Sequence, residues 1–297
     1  MKILLIDGNH LAHRAFYAYQ KNANLTNGCI FGSFSIIKNL FNLFDIDSAH
    51  IFWDVGGITF RHKLARKCVK SGFITSQYKV RQHGEDWEEV VRQMIILQEN
   101  MHLINIRSLG VPGVEADDLI GSYIGKYDNG QNKFVVVSGD RDFFQLISKT
   151  VSFYFTGKKK LYTHEVFKDE FNIDPRFMID VGALTGDSGD SIQGIKGIGP
   201  KTAIKLMNKY SDLKTIFKNK EELKSNKDLK KVYENENKIK IAYILKKIKK
   251  NLDFNFILDE YKGVSDPEKL KQFFNEFQFK SFLKNFDTEW LLLNKKV

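Results

Sequence analysis

A recurring set of acidic residues carries most of the chemistry this sequence could do. Asp7 follows Ile3-Leu4-Leu5-Ile6, and Asp54 follows Ile51-Phe52-Trp53. Glu115-Ala116-Asp117-Asp118 comes just after Pro112-Gly113. Asp140-Arg141-Asp142 follows Phe134-Val135-Val136-Val137-Ser138-Gly139, and Asp187-Ser188-Gly189-Asp190 follows the apolar stretch Val181 to Leu184. A carboxylate at a helix start is ordinarily a cap or a dipole partner, so no cluster decides anything alone. Together the nine carboxylates Asp7, Asp54, Glu115, Asp117, Asp118, Asp140, Asp142, Asp187 and Asp190 would repel one another at one edge of a fold. Divalent cations are the economical way to hold them there. Glu115 and Asp118 are spaced i, i+3 and share a helix face, and Asp187 and Asp190 repeat that spacing. The donors are hard oxygens with no histidine or cysteine at ligand spacing, which favours Mg²⁺, with Mn²⁺ as a substitute, over zinc. A pair of such ions ~4 Å apart suits phosphodiester hydrolysis, activating water on one side and neutralising the leaving oxygen on the other.

The elements that must position these groups are legible in the apolar pattern. Ile3–Ile6, Ile51–Trp53 and Phe134–Val137 are continuous apolar runs, the mark of strands buried on both faces of a parallel sheet. Between them, Phe34, Ile37, Leu40, Phe41 and Phe44 recur at helical spacing, as do Val90, Val91, Met94, Leu97 and Met101. Alternating strands and helices predict an α/β fold with a mostly parallel, doubly wound sheet. Such sheets place their sites beyond the carboxyl ends of the strands, where these runs reach aspartate. Residues 54–87 break the pattern with Arg61, Lys63, Arg66, Lys67, Lys70, Lys79 and Arg81, and read as a basic excursion out of the sheet. From about Asp180 the chain reads as helical and lysine-rich, ending in an aromatic helical stretch from Leu270 to Phe286. The Lys246-Lys247 and Lys249-Lys250 run reads as a solvated helix face. The expected division is an α/β core at 1–180 and a helical region at 181–297.

The balance of charge points to a polyanionic partner. The 297 residues hold 46 Lys+Arg against 36 Asp+Glu, a net +10 with a pI near 9.3. Cys29 and Cys68 form neither a zinc pattern nor a disulfide framework. The start, MKILLID, is a first strand rather than a signal peptide, and no apolar run reaches the ~18 residues of a membrane span. A cytoplasmic protein of a bacterial or phage-infected cell, without a membrane partner, is expected.

A glycine-rich stretch, Gly194-Ile195-Lys196-Gly197-Ile198-Gly199-Pro200-Lys201-Thr202-Ala203, precedes a helix through about Tyr210. It does not follow a strand, so it is not a dinucleotide fingerprint, and its spacing is not that of a Walker A loop. Glycines that free backbone N–H groups at a helix start make an anion site. A helix–hairpin–helix clamp on the nucleic-acid backbone fits, with Gly194, Gly197, Gly199 and Thr202 in the clamp and Lys196, Lys201 and Lys205 adding charge. Such contacts fix register without reading bases.

In order along the chain, Leu4–Leu11, Phe52-Trp53-Asp54 with Phe60-Arg61-His62, Val111–Asp118, Ser138–Phe143, Ala183–Asp190 and Gly194–Gly199 resemble the flap endonuclease or 5′–3′ exonuclease family. Its members include the N-terminal nuclease domain of bacterial DNA polymerase I and free-standing phage relatives. The resemblance runs from Met1 to about Phe286. It implies a nuclease core with a central sheet of the PIN-like or resolvase-like kind, a helical arch at about 60–100 over the site, and a helix–three-turn–helix region that grips duplex DNA with a bound K⁺. It implies that all nine carboxylates are metal-site residues. It also implies a Tyr-Lys-x-x-Arg motif in the arch, placing a lysine and an arginine at the scissile phosphate. The nearest match is Tyr78-Lys79-Val80-Arg81, one residue shorter, which names Lys79 and Arg81. The alternative is Lys70, with Phe73 where the arginine would stand. Ser191 departs from the usual Asn after Asp190.

The expected function is a Mg²⁺-dependent, structure-specific 5′–3′ exonuclease and flap endonuclease of DNA replication and repair. Its substrate would be DNA with a 5′ flap or 5′ end, with RNA primers a further candidate. Free-standing, monomeric action beside a replicative polymerase or single-strand-binding protein is expected. A non-cleaving structure-specific DNA-binding protein and a PIN-type RNase are the alternatives. The intact acidic set argues against the first, and the length and glycine hairpin against the second.

Overall fold

The computed structural model describes residues 1–19, 26–72, 74, 78–79, 86–218, 227–253 and 266–290. The apolar runs form a six-stranded sheet of β1 (Lys2–Asp7), β2 (Ser48–Trp53), β3 (Arg107–Gly110), β4 (Lys133–Ser138), β5 (Val151–Phe155) and β6 (Lys160–Tyr162). Its order is β3-β2-β1-β4-β5-β6, with β6 antiparallel to β5 and every other pairing parallel. The chain winds outward from β1 through β2 to β3, then returns to β4 on the other side. The topological switch therefore lies between β1 and β4, where a doubly wound sheet opens a crevice at its carboxyl edge.

Both faces of the sheet are covered, which explains the unbroken apolar runs. In β1, Ile3 and Leu5 join one core and Leu4 and Ile6 the other. The second core is covered by α1 (Gly8–Tyr19), α2 (Gly28–Leu43) and, after α3 (Phe60–Lys70), by α4 (Trp87–Asn100). The first core is filled from α5 (Ala116–Tyr127) and α6 (His164–Phe171). It continues without a break into α7 (Met178–Thr185), the short hairpin β7 (Gly186–Asp187) with β8 (Ile192–Gln193), α8 (Pro200–Tyr210) and α9 (Leu213–Lys218). Leu229 and Val232 of α10 (Lys227–Glu234), and Ile239, Ala242 and Leu245 of α11 (Glu236–Lys246), complete it. The expected division at residue 180 falls inside α7.

The C-terminal aromatic stretch folds back onto the second core. It forms α12 (Pro267–Glu276), α13 (Lys280–Lys284) and α14 (Phe286–Glu289). Phe31 of α2 stacks on Phe282 at 4.5 Å, and Phe34 packs edge-on against Phe274 at 5.4 Å.

Both ends of the range read as an arch, 60–100, are docked helices. α4 buries Val90, Met94 and Leu97 in the second core, so residues 87–100 dock one face there, as their helical apolar spacing requires. α3 starts at Thr59, whose hydroxyl caps His62 N–H, and buries Arg61, Ala65 and Cys68. Arg81 lies outside the described residues.

Candidate metal and nucleic-acid site

The carboxylates gather at the carboxyl edge of the sheet, around its switch point. Asp7 ends β1 and accepts hydrogen bonds from His10 N–H (3.1 Å) and from Ser138 Oγ at the end of β4 (2.7 Å). Ser138 Oγ also accepts from Asp140 N–H at 3.1 Å, so one hydroxyl ties the two switch-point strands. Asp140 caps the 3₁₀ turn Arg141–Leu146 by accepting from Asp142 N–H. Asp54, past the end of β2, is held by Asn9, which accepts its N–H at 2.7 Å, and caps α5 by accepting from Ala116 N–H at 2.6 Å.

Asp142, Asp187 and Asp190 present oxygens that all lie within 4.8 Å of one another. Asp187 accepts the N–H groups of Gly189 (2.9 Å) and Asp190 (3.3 Å), which fixes the turn carrying both. The turn is closed by β7 against β8, where Gly186, at φ +73°, meets Gly194. A Cβ on Gly194 would stand 2.0 Å from Thr185 O, so only glycine fits there. Hard, clustered carboxylate oxygens are the donor set a divalent cation of the Mg²⁺ type requires. The electrostatics agree: burial pushes Asp142 up to about 7 even beside Lys246. Asp190 is likewise raised, first by burial, against the pull of Lys79.

Among the described residues, three cations reach into this acidic group, and two of them are not identified as site residues by the sequence. Arg61 is 1% exposed and grips Asp118 with two 2.8 Å bonds. It also approaches Glu115 at 3.2 Å and Asp117 at 3.6 Å. Its remaining donors go to Leu245 O (2.7 Å) and Lys247 O (2.9 Å), two of the orphan carbonyls at the end of α11. Asp118 accepts a further bond from Lys249 N–H at 2.8 Å. Its oxygens are therefore committed to protein donors, and it holds Arg61 rather than opening onto the crevice. The i, i+3 pairing of Glu115 and Asp118 serves to embrace that arginine.

Lys79 Nζ donates to Glu115 Oε2 at 2.6 Å, and its backbone N–H reaches Asp190 O at 3.2 Å. Lys79 takes the left-handed conformation, φ 49°, uncommon for a side-chain-bearing residue. The neighbouring Tyr78 hydroxyl also meets Glu115 Oε2, at 3.1 Å, and Asp190 Oδ2, at 3.4 Å. Burial opposes the charge on Glu115, but Lys79 and Arg61 outweigh it and hold the carboxyl at about 2. Lys70 sits exposed in the last turn of α3.

The third cation is Lys246, whose Nζ lies 2.6 Å from Asp142 Oδ1 and 2.8 Å from Asp187 Oδ2. The solvated-face reading of the Lys246-Lys247 run fails for this residue, which is 6% exposed. The signal was present: Ile239, Ala242 and Leu245 mark the buried face of α11, and position 246 is one heptad from 239. Among the described residues, nine carboxylates face Arg61, Lys79 and Lys246 in this group, a formal deficit of six positive charges.

The glycine stretch forms the turn between β8 and α8. Pro200 occupies the first helical turn after Gly199. Ile195, Ile198 and Ala203 are buried and anchor the turn. Lys196, Gly197, Gly199, Lys201 and Lys205 stay exposed. Gly197, at φ +82°, needs the conformation glycine allows.

Two family models match in succession, the 5′-3′ exonuclease N-terminal resolvase-like domain over residues 2–172 and the 5′-3′ exonuclease C-terminal SAM fold over residues 173–269. The chain belongs to the 5′–3′ exonuclease family. It is 31% identical to a 5′-3′ exonuclease of Buchnera aphidicola subsp. Acyrthosiphon pisum over 227 residues, covering 75% of this chain and 76% of that one. It is 33% identical to a 5′-3′ exonuclease of Bacillus subtilis over 230 residues, covering 73% of each. Among solved structures, the T5 D15 protein co-crystallised with metal ions superposes with a TM-score of 0.65 at 17% identity, covering 84% of this chain and 90% of that one. The catalytic core of Rad2 in complex with DNA substrate superposes with a TM-score of 0.59 at 18% identity, covering 96% of this chain and 92% of that one. The family's fold, a resolvase-like α/β domain with a helical C-terminal domain, is the fold found here. The helices α13 and α14 lie beyond the part the family models match. Among the described residues, no helix is long and apolar enough to cross a membrane.

Proposed function

We propose that this protein is a Mg²⁺-dependent, structure-specific 5′–3′ exonuclease and flap endonuclease acting on DNA in replication and repair. The observation that carries the reading is the convergence of strand-end carboxylates at the switch point, with Asp142, Asp187 and Asp190 presenting oxygens within 4.8 Å of one another. Asp7, Asp54, Asp117, Asp140, Asp142, Asp187 and Asp190 would hold the divalent ions, joined by Glu115 once Lys79 Nζ leaves its Oε2 for the substrate phosphate, with Mn²⁺ able to replace Mg²⁺. When bound, two such ions supply an activated water and charge neutralisation at the scissile phosphate. The protein's own groups do the rest. Lys79 directs its ammonium toward developing phosphate charge, with Tyr78 holding Glu115 and Asp190 beside it. Arg61 and Asp118 fix the end of α11 against α5, which sets where the carboxylates stand. The exposed hairpin 194–199, with Lys196, Lys201, Thr202 and Lys205, holds the duplex backbone and takes a K⁺. Arg81 joins Lys79 in stabilising the developing phosphate charge, and the basic residues between α3 and α4 guide the single-stranded 5′ end. The protein acts as a cytoplasmic monomer that works beside a replicative polymerase or single-strand-binding protein, with RNA primers a further substrate.

The test is cleavage of a labelled 5′-flap DNA, and of the matching RNA, with and without Mg²⁺. Cleavage of DNA that requires Mg²⁺ is expected. The Asp140→Asn, Asp142→Asn double variant is expected to lose cleavage while still binding flap DNA. Near-full activity in that variant removes the metal assignment, and preference for RNA favours the RNase reading.

A further inference from the structure

Lys246 is placed as a metal ion would be placed. Its ammonium contacts both oxygens of Asp142, at 2.6 and 2.9 Å, and Asp187 Oδ2 at 2.8 Å. Those two carboxylates belong to the Asp142–Asp187–Asp190 cluster. The berth is built for the lysine stem: a Cβ on Gly182 of α7 would stand 2.6 Å from Lys246 Cε. The backbone beneath it is clamped. Gln145 donates to Lys246 O at 2.9 Å, and Arg61 takes the carbonyls of Leu245 and Lys247 on either side. The main chain is held, so movement of the charge must come from the side chain alone. A groove of about 960 Å³ adjoins it, running from Asp142, Asp187 and Lys246 toward Gly194 and Pro200 at the hairpin, and offers the ammonium a place to go.

We propose that Lys246 is a tethered competitor for one of the divalent ions: it holds Asp142 and Asp187 together in the metal-free protein and swings into the adjoining groove when an ion takes its place. This rests on reading the acidic cluster as a metal site. Two cations cannot share the same carboxylate oxygens at contact distance without strong repulsion, so an ion bound there must displace the ammonium. The lysine then sets the affinity of that half of the site. It also keeps the metal-free cluster from bursting under its own charge. The displaced ammonium lies on the path from the acidic cluster to the hairpin, where a substrate phosphate would meet it.

Calorimetric titration of the metal-free protein with Mn²⁺ reads this directly, beside the neutral variant Lys246→Met, whose side chain is one heavy atom shorter. The wild type is expected to bind in two unequal steps, with the weaker step tightened about tenfold or more in the variant. The variant is also expected to melt at lower temperature than the wild type in EDTA and to recover on Mn²⁺ addition. An unchanged weaker step, or a variant that melts like the wild type in EDTA, overturns the proposal. Absence of any Mn²⁺ binding by the wild type would instead remove the metal-site reading on which it rests. A second measurement needs no variant: amine acetylation read by mass spectrometry on wild-type protein. Lys246 is expected to be shielded without metal and reactive once Mn²⁺ is saturating. Equal shielding in both states overturns the displacement.

Discussion

Replacing Arg61 by leucine tests whether Asp118 is bound to a protein cation or is open to a metal. The Arg61 and Asp118 side chains are 1% and 2% exposed and joined by paired 2.8 Å bonds. Leucine would leave the Asp118 carboxylate with the Lys249 N–H and no buried counter-charge. It would also strip donors from the carbonyls of Leu245 and Lys247. Breaking one partner out of a buried pair costs ~3–5 kcal/mol, because the stranded charge stays in a poorly solvated place. At ~2–4 °C per kcal/mol for a chain of this size, the melting midpoint should fall by roughly 6–20 °C. The assay is urea and thermal unfolding in EDTA, so that no bound ion contributes, for Arg61→Leu, Asp118→Leu and the double variant. Because the residues are in contact, the cycle should be strongly non-additive. The double variant should regain the part of the loss that comes from stranding Asp118, while Glu115, Asp117 and the two carbonyls stay without the guanidinium. A double variant no more stable than Arg61→Leu, or an Arg61→Leu protein within about 1 kcal/mol of wild type, would refute the pairing as the reason for Asp118's burial.

Lys79→Ala should slow flap cleavage by about a hundredfold or more, as loss of one preorganised charge does, while Lys70→Ala stays near wild type in single-turnover assays. The reverse ranking would overturn the choice of Lys79. Lys196→Ala and Lys201→Ala should each weaken duplex binding equally for all sequences and reduce the salt slope of the affinity by about one. A sequence-dependent loss would contradict backbone-only contact. His50, buried against Tyr123, is lowered to about 3 by burial and the nearby Arg107. A histidine depressed on folding favours the native state while neutral, so its contribution is complete above pH ~6.5 and is lost as pH falls toward its folded value. Between pH 7 and 5 this one group should cost at most about 2 kcal/mol, visible as a steeper acid loss in wild type than in His50→Gln. Equal pH slopes in urea unfolding would show that the imidazole is not the titrating group.

The sheet and its acidic edge are open to reading because both leave one-dimensional signals. A strand buried on two faces must be apolar throughout, as Ile3–Ile6 is, and a strand-end site must come directly after it, as Asp7 does. The glycines of the hairpin are legible for a similar reason, since a residue at φ +82° or one pressed against Thr185 O has little alternative. The basic excursion is harder. A lysine-rich stretch looks solvated, which hides α3 as a docked helix, although Thr59 caps it and Ala65 and Cys68 bury on one face. Residues 87–100 show the opposite case, where correct helical spacing already implies a core helix rather than an arch.

Sequence cannot convey which charge answers which. Arg61 and Leu245 are 184 positions apart, and Lys246 and Asp142 are 104 apart. Nothing local marks either pairing. The acidic residues can be counted along the chain, but their division of labour is a property of the assembled site. Asp118, committed to Arg61 and Lys249 N–H, locks α5 to the end of α11. Asp142 and Asp187 Oδ2 are met by a single side-chain ammonium, while Asp187 Oδ1 accepts the N–H groups of Gly189 and Asp190. The difference lies in the partner: a planar guanidinium with every donor engaged is fixed in place, whereas one ammonium on a flexible stem can leave. The same helix end therefore carries both a permanent counter-ion through Arg61 and a removable one in Lys246.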